Sequence, residues 1–61
     1  MNLKALREQK HLTQEELSEA SGISIRTIQR IEAGQLPKGH TAKALAKALD
    51  IALDSLQNTD L

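Results

Sequence analysis

Between two helix-forming segments this chain leaves only Gly22, Ile23 and Ser24, and that three-residue connection limits the fold more than any other feature. The segment before it opens on Thr13-Gln14-Glu15-Glu16. In this capping box the Thr13 hydroxyl can accept from the Glu16 N–H, while the Glu16 carboxylate reaches back to the Thr13 N–H. Leu12 and Leu17 stand at the two positions of a hydrophobic staple. Gly22 is free to take the left-handed conformation that stops a helix. The segment after the connection starts on Ser24, a natural N-cap, with Ile23 and Ile28 again at staple spacing and Ile28 and Ile31 as a buried stripe. So short a link, with a glycine in it, makes two helices meet at a steep angle. Counting from Gln14 as the first position, Leu17, Ile23, Ile28 and Ile31 fall where the helices share apolar contacts. Ser18 falls where they approach most closely and a small side chain is needed.

That pair has helix-turn-helix geometry, and the rest of the chain supplies helices to hold it. A first helix is predicted from just after Asn2, its N-cap, to about Lys10, with Leu3 and Leu6 as its inner stripe and Ala5 at the edge. The third helix is expected to end with Gly34 in the left-handed region. Residues 35–39 form a loop around Pro37, the single proline. A fourth helix starts somewhere within residues 39–41 and runs to Leu49, burying Ala42, Leu45, Ala46 and Leu49 and pointing Lys43 and Lys47 outward. A short fifth helix at residues 53–56 closes the core, and residues 57–61 form a frayed tail. The expectation is an all-α, compact five-helix domain over residues 1–56. With no Phe, Trp, Tyr or Cys, its core is aliphatic and unstapled, and a chain this short buries only about 60% of its unfolded surface.

Several function classes drop out. The absence of cysteine fits a reducing compartment, and a cytoplasmic protein is expected. The apolar runs are far too short to cross a membrane, and the start Met1-Asn2-Leu3-Lys4 has no apolar stretch behind it, so no signal peptide is expected. Glu15, Glu16 and Glu19 lie on one helix without a histidine, cysteine or Gly-rich loop nearby, which reads as a solvated face with favourable helix-dipole placement. His11 and His40 lack ligand spacing, so no metal site is expected. No candidate nucleophile has a base beside it, and neither catalysis nor a cofactor is expected.

The formal net charge is zero, but its distribution is uneven. Up to Ile23, three Lys/Arg face four Glu; from Ser24 to Lys47, five Lys/Arg face Glu32 alone; beyond that, three Asp stand without a cation. The positive centre coincides with the second helix of the pair, whose outward side chains are Arg26, Gln29 and Arg30, with Thr27 between them. The major groove of DNA admits an α-helix, and guanine O6 and N7 accept together from a guanidinium. Gln pairs with adenine in the same way, and Ile25 is placed to meet a thymine methyl. Gln14 and Ser24, at the two helix starts, suit phosphate oxygens. The competing reading of Arg26, Arg30 and Gln29 is a solvated helix face.

The stretch LTQEELSEASGISIRTIQRIEAG, residues 12–34, resembles the Cro/phage-repressor-type helix-turn-helix family, also called the XRE family. Arg7, Pro37 and the ALAKALDI…L run of residues 44–53 extend the resemblance over nearly the whole chain, and Gln14, Gly22, Ser24, Ile28, Ile31, Glu32 and Gly34 fall in register. The resemblance implies that Ile25, Arg26 and Arg30 face base edges and that Gln14 touches a phosphate and buttresses the first base contact. It implies that Thr27 and the loop after Gly34, where Lys38 and His40 sit, meet the DNA backbone. It also implies a structural ion pair between Arg7 and Glu32. Members are mostly repressors or regulators that bind palindromic operators as homodimers; a minority activate transcription or serve as antitoxins. The chain departs from the pattern at Ala33, where Asn often helps hold a phosphate, and at Ser18, where Ala is usual. At Ala52 a Ser or Thr cap often starts the fifth helix, and its loss costs roughly 1 kcal/mol.

The sequence therefore points to a regulator, as a repressor, that binds double-stranded DNA. Two alternatives stand beside it: a protein-binding helix-turn-helix module such as an antitoxin or adaptor, or the N-terminal domain of a longer regulator.

Overall fold

A computed structural model describes residues 2–52. It contains four α-helices in chain order: α1 (Leu3–Gln9), α2 (Gln14–Ser21), α3 (Ile25–Glu32) and α4 (Gly39–Leu49). No strand occurs among the described residues. The fifth helix expected at residues 53–56 and the tail expected at 57–61 lie outside them.

Local chemistry starts three of the four helices. Asn2 caps α1, its Oδ1 accepting from the Ala5 N–H at 3.0 Å. Thr13 caps α2 with both halves of the capping box made: the Glu16 N–H donates to Thr13 Oγ1 at 3.0 Å, and the Thr13 N–H donates to Glu16 Oε1 at 2.8 Å. Ser24 Oγ accepts from the Thr27 N–H at the start of α3. α4 begins after Lys38 without any side-chain cap.

The helix ends use an arrangement that the positions of the glycines only half disclose. At α1, α3 and α4 two backbone bonds close the last turn, one spanning five residues and one spanning three: Leu12 to Arg7 with His11 to Glu8, Gln35 to Arg30 with Gly34 to Ile31, and Ile51 to Ala46 with Asp50 to Lys47. This is the Schellman pattern, which turns the chain through a residue of positive φ. Gly22 provides the left-handed residue after α2, with φ +76°. Gly34 departs from the expectation: its φ is +121°, positive but outside the left-handed helical well, and α3 ends at Glu32 with Ala33 still right-handed. After α1 and α4 the left-handed positions fall to His11, φ +59°, and Asp50, φ +56°, where no glycine advertises them.

Ser21 locks the connection between α2 and α3: its hydroxyl donates to the Leu17 carbonyl at 2.7 Å and accepts from the Ile23 N–H at 3.1 Å. α3 then packs across α2 and α1, while α4 packs on α2. Their inner faces meet in one aliphatic cluster of Leu3, Leu17, Ile28, Ile31, Leu45, Ala46 and Leu49, with Leu6, Leu12, Ile23, Ala48 and Ile51 half-buried against it. Ala42 is fully buried as well. Leu6 is thus a flank of the core, and Ala5 is exposed. The other residue of α1 that is buried is Arg7. Each fully buried Leu or Ile contributes about 1.5–3 kcal/mol, and with no aromatic side chain these aliphatics supply the greater part of what holds α3 in place.

Candidate nucleic-acid interface

α3 is buried on one side through Ile28 and Ile31 and open on the other. Arg26, Gln29 and Arg30 are exposed, and Ile25 and Thr27 are half-buried at its flanks. Arg26 and Arg30 are one turn apart on one face. Among the described residues neither makes an ion pair, and neither guanidinium hydrogen-bonds within the chain. With its side chains an α-helix is about 10–12 Å across, which fits the roughly 12 Å width of the major groove.

The ridge of α3 lies between two open hollows. One is lined by Thr13, Gln14 and Glu15 at the start of α2, by Ile25 and Gln29, and by Arg7. The other is lined by Thr27, Arg30, Gln35, Lys38 and His40, and by the exposed Leu36. The structure therefore places Lys38 and His40 beside Arg30 and Thr27. Gln14, Ile25 and Gln29 lie together on the opposite flank. Ser24 is exposed at the tip of α3, where its hydroxyl donates to Thr27 Oγ1 at 3.0 Å. Lys43 and Lys47 are exposed on α4. Glu15 brings a negative charge to the first hollow, opposing a phosphate there.

Beneath this face lies a polar network that fixes α3 to α1 and α2. Arg7 Nε donates to Glu32 Oε2 at 2.7 Å and its second terminal nitrogen donates to Oε1 at 3.3 Å. Its remaining terminal nitrogen donates to the Leu12 carbonyl at 2.7 Å. The side chains of Arg7 and Glu32 are only 11% and 8% exposed, so the pair is shielded from solvent. Burial pushes the Glu32 carboxyl up. Hydrogen bonds from Arg7 and Gln14, with the charges of Arg7 and Lys4, outweigh it and hold the group below its ordinary value of 4.5. The hydrogen bond to Glu32 raises Arg7 further, against its own desolvation. Gln14 Nε2 donates to Glu32 Oε1 at 3.0 Å, and Gln29 Nε2 donates to Gln14 Oε1 at 3.3 Å. Sequence reasoning missed this last link, which joins residues fifteen positions apart. No local pattern signals it; it exists only once α2 and α3 have crossed.

Among the described residues no group of three His, Cys, Asp or Glu is placed to hold a metal ion, and no helix is long and apolar enough to cross a membrane.

A helix packed against two others after a tight turn, with two outer arginines unengaged among the described residues, defines a helix-turn-helix protein. This chain belongs to the Cro/phage-repressor-type helix-turn-helix family, whose profile, described as helix-turn-helix, matches residues 3–56. It is similar to the HTH-type transcriptional repressor RghR of Bacillus subtilis (strain 168), at 46% identity over 56 residues, covering 88% of this chain and 42% of that protein. The chain thus spans less than half the length of this curated relative. No solved structure matches it significantly.

Proposed function

We propose that residues 1–56 form a sequence-specific domain of a cytoplasmic transcriptional regulator, a repressor, that binds double-stranded DNA by laying α3 in the major groove. The observation that carries this reading is the contrast among the arginines: Arg7 is tied to Glu32, whereas Arg26 and Arg30 are exposed and unpaired among the described residues. A guanidinium left free on a projecting helix is equipped to donate to guanine O6 and N7. Ile25 and Gln29 are the other base-facing groups. Gln14, Thr27, Lys38 and His40 border the hollows on either side, where the two phosphate backbones would pass, and Ser24 at the tip of α3 is the remaining phosphate contact. The name of the RghR relative, a transcriptional repressor, agrees with this assignment. The domain works by binding, with no catalytic step and no cofactor.

One domain of this size covers a half-site. Two copies, on half-sites about 34 Å apart, complete the site as a homodimer. Fluorescence anisotropy of a labelled duplex across a salt series tests the reading. Binding through several phosphates makes log K fall linearly with log salt, with a slope of about −0.9 for each phosphate neutralised. A slope near zero, or no binding at low salt, overturns the assignment.

A further inference from the structure

The hollow at the start of α4 differs from its counterpart across α3 in what it can bind. It is lined by Arg30, Lys38 and His40 and by no Asp or Glu. The other hollow contains Glu15, and its one cation, Arg7, is tied to Glu32. The first turn of α4 is also uncapped: Lys38 offers no side-chain acceptor, and the N–H groups of Gly39, His40 and Thr41 have no acceptor among the described residues. Such a turn presents donors together with the positive end of the helix dipole. A separate observation comes from Thr41. It lines this hollow while only 7% exposed, and its hydroxyl makes no hydrogen bond among the described residues. Buried hydroxyls are paired as a rule, so this one is left to serve a group that enters the hollow. The same hollow has an apolar side, made by Pro37 and by Leu36, which is 67% exposed. Its volume of about 290 Å³ is close to the lower bound of small-molecule pockets, about 300 Å³, and leaves room beside a phosphate group.

We propose that this hollow is a binding site for a small phosphate monoester, whose phosphate accepts from the α4 N–H groups, the Thr41 hydroxyl, Lys38 and Arg30, and whose organic group covers Leu36 and Pro37. A phosphate monoester only accepts at its ionised oxygens, and every polar group named here can donate. Bound there, the ligand draws Arg30 away from the bases and Lys38 away from the DNA backbone, so that ligand and duplex compete. A DNA backbone carries phosphate too; the apolar side of the hollow favours the small ester, and the test separates the two sources. The effect on DNA rests on the reading of α3 as the groove helix, whereas the site itself does not.

The test titrates the isotope-labelled, DNA-free chain with inorganic phosphate and with phenyl phosphate, at an ionic strength held constant with sodium chloride, and follows the amide resonances by NMR. The Gly39, His40 and Thr41 amides should shift saturably with both, with a Kd on the order of 1 mM for phenyl phosphate and about threefold weaker binding of inorganic phosphate. Thr41→Val should weaken phenyl phosphate by about fivefold or more. Its Tm should stay within about 2 °C of wild type, because the hydroxyl removed has no internal partner. Lys43→Ala, exposed on α4 but outside the hollow, should bind like wild type. Phenyl phosphate at about ten times its Kd should weaken duplex binding by about tenfold in wild type and about threefold or less in Thr41→Val. The proposal is overturned if neither small phosphate shifts the start of α4 saturably, even where duplex does, which would assign the hollow to the DNA backbone. It is equally overturned if Thr41→Val binds phenyl phosphate as wild type does, if that variant loses more than about 4 °C in Tm, or if saturating phenyl phosphate leaves duplex binding unchanged. Binding of phenyl phosphate without binding of any duplex at low salt would instead reject the groove-helix reading and leave the site standing.

Discussion

Replacing Glu32 by Ala should remove a third or more of the stability of this domain. The substitution deletes three hydrogen bonds at once, two from Arg7 and one from Gln14. It leaves a guanidinium only 11% exposed, with the Leu12 carbonyl as its sole remaining protein partner. Removing one side of such a shielded pair costs about 3 kcal/mol, chiefly the desolvation of the charge left behind. A domain of this length is stable by roughly 3–9 kcal/mol, so the loss takes a third or more of the total. At about 4–8 °C per kcal/mol for a domain this small, Tm should fall by about 12–24 °C in thermal circular dichroism at pH 7. Arg7→Ala should lose a similar amount. The double substitution Arg7→Met with Glu32→Leu should recover part of the loss, because apolar groups of similar volume do not strand a charge. If Glu32→Ala shifted Tm by less than about 3 °C, or if the double variant were as unstable as the two losses added together, the network would not be what holds α3 to α1.

Further outcomes follow from particular residues. Because the folded-state pKa of Glu32 is depressed, its contribution is complete above the ordinary value of 4.5 and disappears as pH falls through the folded value; urea midpoints measured from pH 6 to pH 3 should fall for wild type and change less for Glu32→Gln. His11 holds φ +59° without being glycine, so His11→Gly should relieve left-handed strain of about 1 kcal/mol, partly offset by unfolded-chain entropy, and raise the urea midpoint modestly; a drop would show that the imidazole makes a compensating contact. Lys38 occupies an N-cap position without capping, so Lys38→Ser should stabilise α4 by about 0.5–1 kcal/mol while weakening DNA binding and flattening its salt slope by about one phosphate; unchanged affinity would remove Lys38 from the interface.

Much of this fold was legible because its signals are local. Thr13 and Glu16 lie three residues apart in a pattern that serves one purpose, and Ser24, Asn2 and the Ala42-Leu45-Ala46-Leu49 stripe speak through spacing in the same way. The Arg7–Glu32 pair was expected by resemblance rather than spacing, since residues 25 positions apart carry no mutual signal. What stayed illegible depends on how helices cross or on backbone shapes that glycine does not mark. The Gln14–Gln29 link needs the α2–α3 angle. The left-handed turns at His11 and Asp50 are set by the closing bonds of the preceding helices, which outweigh the intrinsic reluctance of a non-glycine residue. Gly34 was placed correctly as a helix stop, but its φ of +121° lies outside the left-handed helical well that the sequence led one to expect. At the interface, Arg26 and Arg30 were readable as outward-facing; that internal acids leave them unengaged among the described residues became visible only in three dimensions.

The central claim is that these two side chains read DNA bases, and the direct measurement is the affinity of wild type, Arg26→Ala and Arg30→Ala for a duplex selected by the wild-type chain and for an unrelated duplex at the same salt. Each substitution should weaken binding to the selected duplex by about 5–150-fold and relax preference at its own base pair, with a much smaller loss on the unrelated duplex. Retention of wild-type affinity and base preference by both variants would contradict the account.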